Sequence, residues 1–165
     1  MDKKKLIAVY PGTFDPLTNG HISLVKRGLD IFEEIILAVA LHSPKIPLFS
    51  LQERVDMARK TFEHMDNVLV EAFEGLLIDY VRSKKARAIL RGMRAVADFE
   101  LEFQMALMNR RLDRNIQTVF LMTDYKWLYI SSTLIKDVAK LGGDIHGVVP
   151  ENVQKELYKK FGRIV

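Results

Sequence analysis

Short apolar runs recur along the chain at residues 6–10, 35–40, 68–71, 88–91 and 118–122. Each is rich in Val, Ile or Leu, the composition of parallel strands buried on both faces. Between them the apolar positions change to helical spacing. Ile22, Val25 and Leu29 predict a helix after the first run. Ser50-Leu51-Gln52-Glu53 is a capping box, and Val55, Ala58 and Phe62 follow on one helical face. Further helices are expected over about 76–83 and 97–112, and through Leu134, Ile135, Val138 and Leu141. Residues 150–161 place Val153, Leu157 and Phe161 on one face, which predicts a docked C-terminal helix. Strands alternating with helices predict an α/β fold: a doubly wound, parallel five-stranded sheet forming a single domain over residues 1–165. Repeats, low-complexity segments and linkers do not interrupt it.

The helix over 97–112 carries two apolar stripes. Phe99, Phe103, Ala106 and Leu107 lie on one side, and Leu101, Met105, Met108 and Leu112 on the other. The first stripe is expected to cover the sheet. The second then needs cover from another subunit or from the C-terminal helix. Glu102 and Asn109 share the narrow polar strip between them, either as a solvent stripe or as the edge of a cleft.

In such a sheet the loops at the carboxyl ends of the strands hold the site. The first is Pro11-Gly12-Thr13-Phe14-Asp15-Pro16-Leu17-Thr18-Asn19-Gly20-His21. Gly20 permits close backbone approach, and His21 enters the first turn of a helix, where the dipole favours anions. The later loops carry His42-Ser43-Pro44-Lys45-Ile46-Pro47, then Phe73-Glu74-Gly75-Leu76-Leu77, then Arg91-Gly92-Met93-Arg94, and finally Trp127-Leu128-Tyr129-Ile130-Ser131-Ser132-Thr133. Taken singly, each has an ordinary reading. Lys45 would be a solvated lysine, Arg91 and Arg94 surface ion-pair residues, and Ser131–Thr133 a helix cap. Together, cations, hydroxyls and helix starts converging on one edge favour a polyphosphate ligand.

Composition narrows the field. With 48% hydrophobic and 28% charged residues the chain can bury a core and stay soluble. No apolar run has transmembrane length, and the basic start is followed by too few apolar residues for a signal peptide. The absence of Cys removes disulfide and thiol chemistry and fits a reducing cytoplasm. The net charge of +4 raises nucleic-acid binding as an option, but no basic stripe is interleaved with aromatics. Ser-His-Asp triads, paired carboxylates and metal-cage spacings are also lacking; His42, His64 and His146 look peripheral.

Thr18-Asn19-Gly20-His21 resembles the Thr/His-x-Gly-His loop of the nucleotidyltransferase superfamily, and the longer Tyr10-Pro11-Gly12-Thr13-Phe14-Asp15-Pro16 form is similar to that of the bacterial phosphopantetheine adenylyltransferases. The segments 47–54, 90–100 and 130–136, and Gly142-Gly143-Asp144 with Val149-Pro150, resemble further blocks of that family, so the likeness spans nearly the whole chain. It implies a Rossmann-like nucleotidyltransferase fold and transfer of an adenylyl group from ATP to 4′-phosphopantetheine. Dephospho-coenzyme A and pyrophosphate would be the products, in the penultimate step of coenzyme A biosynthesis. It also implies Mg²⁺ carried on the ATP phosphates, a cytoplasmic homohexamer, and coenzyme A as a candidate inhibitor.

Carried over from the family, His21 contacts the α-phosphate and stabilises the transition state. Lys45, holding the acceptor phosphate with Thr13, joins it as catalytic. Arg91 and Leu77 complete the acceptor side. Thr13, Phe14, His21, Gly92, Met93, Arg94 and Glu102 belong to the ATP side, with Trp127, Leu128, Tyr129, Ile130, Ser131, Ser132 and Thr133 closing over it. No metal ligand is implied among the side chains. This chain departs from the family pattern at Thr133, Asp137 and Ile46. The other readings are a nucleotidyltransferase using nicotinate mononucleotide or glycerol phosphate, and a nucleotide- or RNA-binding module without turnover.

Overall fold

The computed structural model describes residues 5–43, 46–94 and 96–162, with the backbone alone for 96–98. The order is β1 (Ile7–Gly12), α1 (Asn19–Gly28), β2 (Glu34–Ala40), α2 (Leu51–Phe62), β3 (Val68–Phe73), α3 (Leu77–Ser83), β4 (Ala88–Met93), α4 (Val96–Leu112), β5 (Gln117–Met122), a 3-10 turn (Tyr125–Trp127), α5 (Ser132–Lys140) and α6 (Glu151–Lys160). The strands form one parallel sheet in the order β3-β2-β1-β4-β5. The predicted α/β fold is the observed one.

Alternate residues of the three central strands feed two apolar layers. Tyr10, Ile35, Leu37, Val39 and Leu90 pack with residues of α1, α2, α5 and α6. Val9, Ile36, Ala38 and Ile89 pack on the other face with Ile78 and Val81 of α3. The capping box at α2 forms as predicted, with Ser50 accepting from the Glu53 amide and Glu53 from the Ser50 amide. β1 extends past its predicted end, because Pro11 and Gly12 keep the register with Ala38 and Val39 of β2. Proline has no N–H to contribute, but its carbonyl still serves.

The functional edge is created where the winding reverses. β1 pairs with β4 at Ala8–Ala88 and Val9–Ile89, and no further pair is recorded between them among the described residues. Beyond Val9 the two strands part. A Pro11 carbonyl that faces the gap takes the Arg91 guanidinium at 3.0 Å instead. Such a switch point opens a crevice at the carboxyl edge.

Helix α4 corrects the sequence expectation. Neither apolar stripe covers the sheet: Phe99 and Phe103 are each 46% exposed and Leu107 is 53% exposed. Leu101, Met105, Met108 and Leu112 are exposed as well. The helix seats by its polar strip. Asn109 is buried, and Glu102 and Ala106 are half-buried between them. The cause is electrostatic: Arg91 at the end of β4 needs a carboxylate, and Glu102 supplies it in a charge-assisted pair. Helix α6 covers neither stripe. It docks on α2, with Lys160 bonding to Glu53 at 2.9 Å and the Asn152 amide to the Met57 carbonyl at 2.9 Å. Among the described residues no helix is long and apolar enough to cross a membrane.

Candidate active site

The loop after β1 is built around Phe14. Its backbone is left-handed, with φ 49°, and its ring is buried edge-on against Tyr10 at 5.3 Å and His21 at 5.2 Å. A Cβ on Gly12 would come within 2.8 Å of that ring, so the loop can close this tightly only over glycine. Thr18 then caps α1. Its amide donates to Nδ1 of His21 at 3.0 Å. Nδ1 therefore presents its lone pair to the backbone, and in the neutral ring the proton sits on Nε2. Burial in the cleft floor, aided by the Arg94 charge, lowers the His21 pKa to about 4. The imidazole is neutral near pH 7, with a fixed tautomer and one N–H to offer. Burial also keeps the neighbouring Tyr10 phenol protonated.

Gly20 lines the cleft and also makes room for the protein itself. A Cβ there would lie 3.3 Å from Cβ of Trp127, which brings the 3-10 turn against the start of α1. Gly92 is comparable: its missing side chain makes room for Leu24 of α1, 3.1 Å from the position of a Cβ. The flanking arginines are already engaged. Arg91 grips the Glu102 carboxylate through two nitrogens, Nε at 2.7 Å, and Arg94 reaches across to the Ile130 carbonyl at 3.1 Å. Ser131 caps α5 by accepting from the Leu134 amide at 3.1 Å, while Ser132 donates to the Pro16 carbonyl at 2.7 Å.

These groups enclose a polar cleft of about 340 Å³. Thr13, Phe14, His21, Arg91, Gly92, Arg94, Glu102, Trp127, Ile130, Ser131, Ser132 and Thr133 all line it. Met93, Leu128 and Tyr129 do not; the last is 68% exposed. Lys45 lies outside the described residues. A second chamber of about 450 Å³ opens toward β2 and α4, and it is more apolar. Phe73, Leu76, Leu77, Met105 and Ala106 line it, together with Asn109 and His42, the latter a residue that looked peripheral in the sequence. Both chambers share Pro11, Gly12, Thr13, Arg91 and Glu102. The Arg91–Glu102 pair is thus the wall between them, and Thr13 stands at their junction.

Sequence reasoning missed several groups. Tyr10, Thr18, Leu24 and Thr123 line the cleft. Thr123 follows β5, so the carboxyl-edge rule alone could have found it. Behind the cleft, Asp15 accepts from the Leu48 and Phe49 amides, each at 2.9 Å, and from Lys136 at 2.5 Å. Glu102 and Asp15 are therefore committed to protein cations. Among the described residues no three His, Cys, Asp or Glu side chains group to hold a metal ion.

Comparison with known proteins agrees with this geometry. The cytidylyltransferase-like family model matches residues 9–138, from β1 into α5. A phosphopantetheine adenylyltransferase of Solidesulfovibrio magneticus is 64% identical over 160 residues, covering 97% of this chain and 93% of that protein. One from Nitratidesulfovibrio vulgaris is 61% identical over 161 residues, covering 98% and 87%. At 53% identity over 157 residues, the phosphopantetheine adenylyltransferase of Syntrophus aciditrophicus still covers 95% of both chains. A nucleotidyltransferase-type loop, a crevice at the sheet's switch point and near-complete coverage by such relatives converge: the chain belongs to the phosphopantetheine adenylyltransferase family of nucleotidyltransferases.

Proposed function

We propose that this enzyme joins ATP and 4′-phosphopantetheine to give dephospho-coenzyme A and pyrophosphate. The observation that carries the reading is the pair of chambers meeting at Thr13, one polar and holding His21, the other more apolar, with the Arg91–Glu102 ion pair as the wall between them. ATP takes the polar cleft. The long pantetheine arm takes the apolar chamber past Leu77, a shape that suits it better than a compact nicotinate nucleotide or glycerol phosphate. The acceptor phosphate and the ATP α-phosphate then meet at the junction.

An acceptor phosphate oxygen attacks the α-phosphorus, and the bond to the bridging oxygen of the β-phosphate breaks. Pyrophosphate carries that electron pair away. The nucleophile is already an oxyanion, so no general base is needed; catalysis is alignment and charge stabilisation. His21 donates its Nε2–H to a non-bridging oxygen of the α-phosphate, where charge develops. Thr13, Lys45 and Arg91 hold the acceptor phosphate. Phe14, Gly92, Arg94 and Glu102, which line the cleft, serve the nucleotide side. Residues 127–133 close over it, the α5 start offering amides and the hydroxyls of Ser131 and Thr133 to the triphosphate.

Mg²⁺ carried by the ATP phosphates would supply neutralising charge to the leaving group, with no side chain of the chain assigned to hold it. The donor set fits that arrangement: hydroxyls line the cleft, while Glu102 and Asp15 are already bound to Arg91 and Lys136. Coenzyme A, which contains both the arm and an adenylyl group, is the expected competing inhibitor. The exposed stripes of α4 support a homo-oligomer, a hexamer in this reading, working as a single-domain cytoplasmic enzyme. The test is pyrophosphate release from Mg-ATP. It should require 4′-phosphopantetheine, and nicotinate mononucleotide should give no comparable rate. Equal rates with both, or none with the first, would overturn the assignment.

A further inference from the structure

Arg54 and Asp15 are the two buried charged residues among those described, 2% and 5% exposed. Arg54 sits in the first turns of α2 and lines neither chamber. Its guanidinium nevertheless bonds to the backbone that frames them. One terminal nitrogen donates to the Thr13 carbonyl at 2.8 Å and to the Ala40 carbonyl at 2.9 Å, and Nε donates to the Phe49 carbonyl at 3.2 Å. Ala40 is the last residue of β2, and Phe49 lies just before the N-cap of α2. Arg54 thus clamps both ends of the connection 41–49 to the loop after β1. Asp15 holds the same residue, Phe49, through its amide. Within the clamped connection, Ser43 comes to 3.5 Å from the Thr13 hydroxyl, and the sequence carries Lys45 two residues on.

We propose that Arg54 is a positioning residue for the acceptor phosphate: it ties Ala40 and Phe49, at the two ends of the β2–α2 connection, to the Thr13 loop, so that Ser43 and Thr13 stand together at one phosphate seat. The inference rests on the acceptor reading above. A point charge cannot replace the guanidinium here. Three carbonyls in different directions need a fork of N–H donors, and a lysine in its place would have to choose among them. Most of the nucleotide cleft is built by α1, β4 and α5, and only its Thr13 edge touches the clamp, so it should feel the loss far less.

The decisive comparison is Arg54→Lys against wild type, using full-length protein. Calorimetric titrations measure 4′-phosphopantetheine and a non-reacting ATP analogue separately, and kinetics give KM for each substrate beside kcat. The acceptor dissociation constant and its KM should rise roughly tenfold or more, the scale of a misaligned binding group, with the ATP analogue within about threefold. The melt should remain cooperative. Acceptor affinity equal to wild type overturns the proposal, as does equal weakening of both ligands. If Arg54→Lys yields no folded protein, Asp15→Asn loosens the Leu48 and Phe49 amides and is read by acceptor affinity alone. Unchanged affinity there overturns the proposal too. A wild type that ignores 4′-phosphopantetheine would instead remove the acceptor reading on which the proposal stands.

Discussion

A single backbone amide decides what His21 can do. Because the Thr18 N–H occupies Nδ1, the ring is oriented before any ligand arrives, and its one proton lies on the other nitrogen. In the proposed reaction His21→Ala should lower kcat by about 10²-fold or more, roughly 3 kcal/mol, as for loss of a donor to developing charge. ATP affinity should change less; kcat within a few-fold of wild type would make the residue structural. The pH behaviour follows from the folded pKa, lowered to about 4 from an ordinary 6.5. Below pH 6.5 the unfolded chain takes up a proton that the folded one refuses, so this site's contribution to stability falls as pH drops from 6.5 toward 4 and is constant above that window. An imidazole NMR titration of His21 should therefore show no midpoint near 6.5; one found there would mean an open, solvated ring. Glu102 makes a different kind of claim. As part of the wall common to both chambers, Glu102→Gln should weaken ATP analogue and acceptor alike, whereas Leu77→Ala should weaken the acceptor alone. Calorimetry separates these, and a Glu102→Gln effect confined to ATP would reduce Glu102 to a nucleotide contact. His21 was legible in the sequence because glycine and a helix start announce it. The Thr18 amide that orients the ring was not, since a backbone donor leaves no trace in residue identity.

Elements differ in how much their sequences reveal. Strands β1, β2 and β4 could be read from apolar runs because central parallel strands are buried on both faces, and no choice of face remains; the edge strands β3 and β5 are only partly covered but keep enough Val, Leu and Phe to be read the same way. Helix α4 required such a choice, and periodicity could not make it. Its two stripes are equally apolar, and the strip that seats it is polar. Only the position of Arg91, fixed by the parting of β1 and β4, selects Glu102 and Asn109 as the buried side. Arg54 was hidden for a related reason: in a capped, charged helix start it looks solvated, and the carbonyls that bury it come from three separate segments. The 3-10 turn offers an element-scale test. Trp127, the sole tryptophan, packs over Gly20 and lines the cleft, and Arg94 ties the same connection down through the Ile130 carbonyl. Binding of ATP should change its fluorescence, and Arg94→Ala should shift the titration to higher ATP. Emission indifferent to saturating ATP would detach residues 127–133 from the nucleotide.

For the molecule as a whole, the open question is what covers α4. Phe99, Leu101, Phe103, Met105, Leu107, Met108 and Leu112 are each between 41% and 64% exposed along one helix, and Phe99 and Phe103 stack on each other at 5.5 Å. So much apolar surface on one element is more than a monomer commonly leaves to water. Helix α6 is excluded as the cover by its seat on α2. Burying side chains of this size is worth roughly 1.5–3 kcal/mol each, set against the cost of association. A second copy of the chain is the occupant consistent with the proposed hexamer, and Leu101 and Met108 are the residues with which to test it. Both are more than half exposed, and neither lines either chamber, whereas Met105 lines the second one and would confound assembly with ligand binding. Light scattering should report an oligomer for wild type. Leu101→Glu with Met108→Glu should give a folded, smaller species, because two carboxylates on one apolar stripe cannot be buried without a partner. A monomeric wild type would reject assembly, and a double mutant that keeps the full assembly would move the interface off α4.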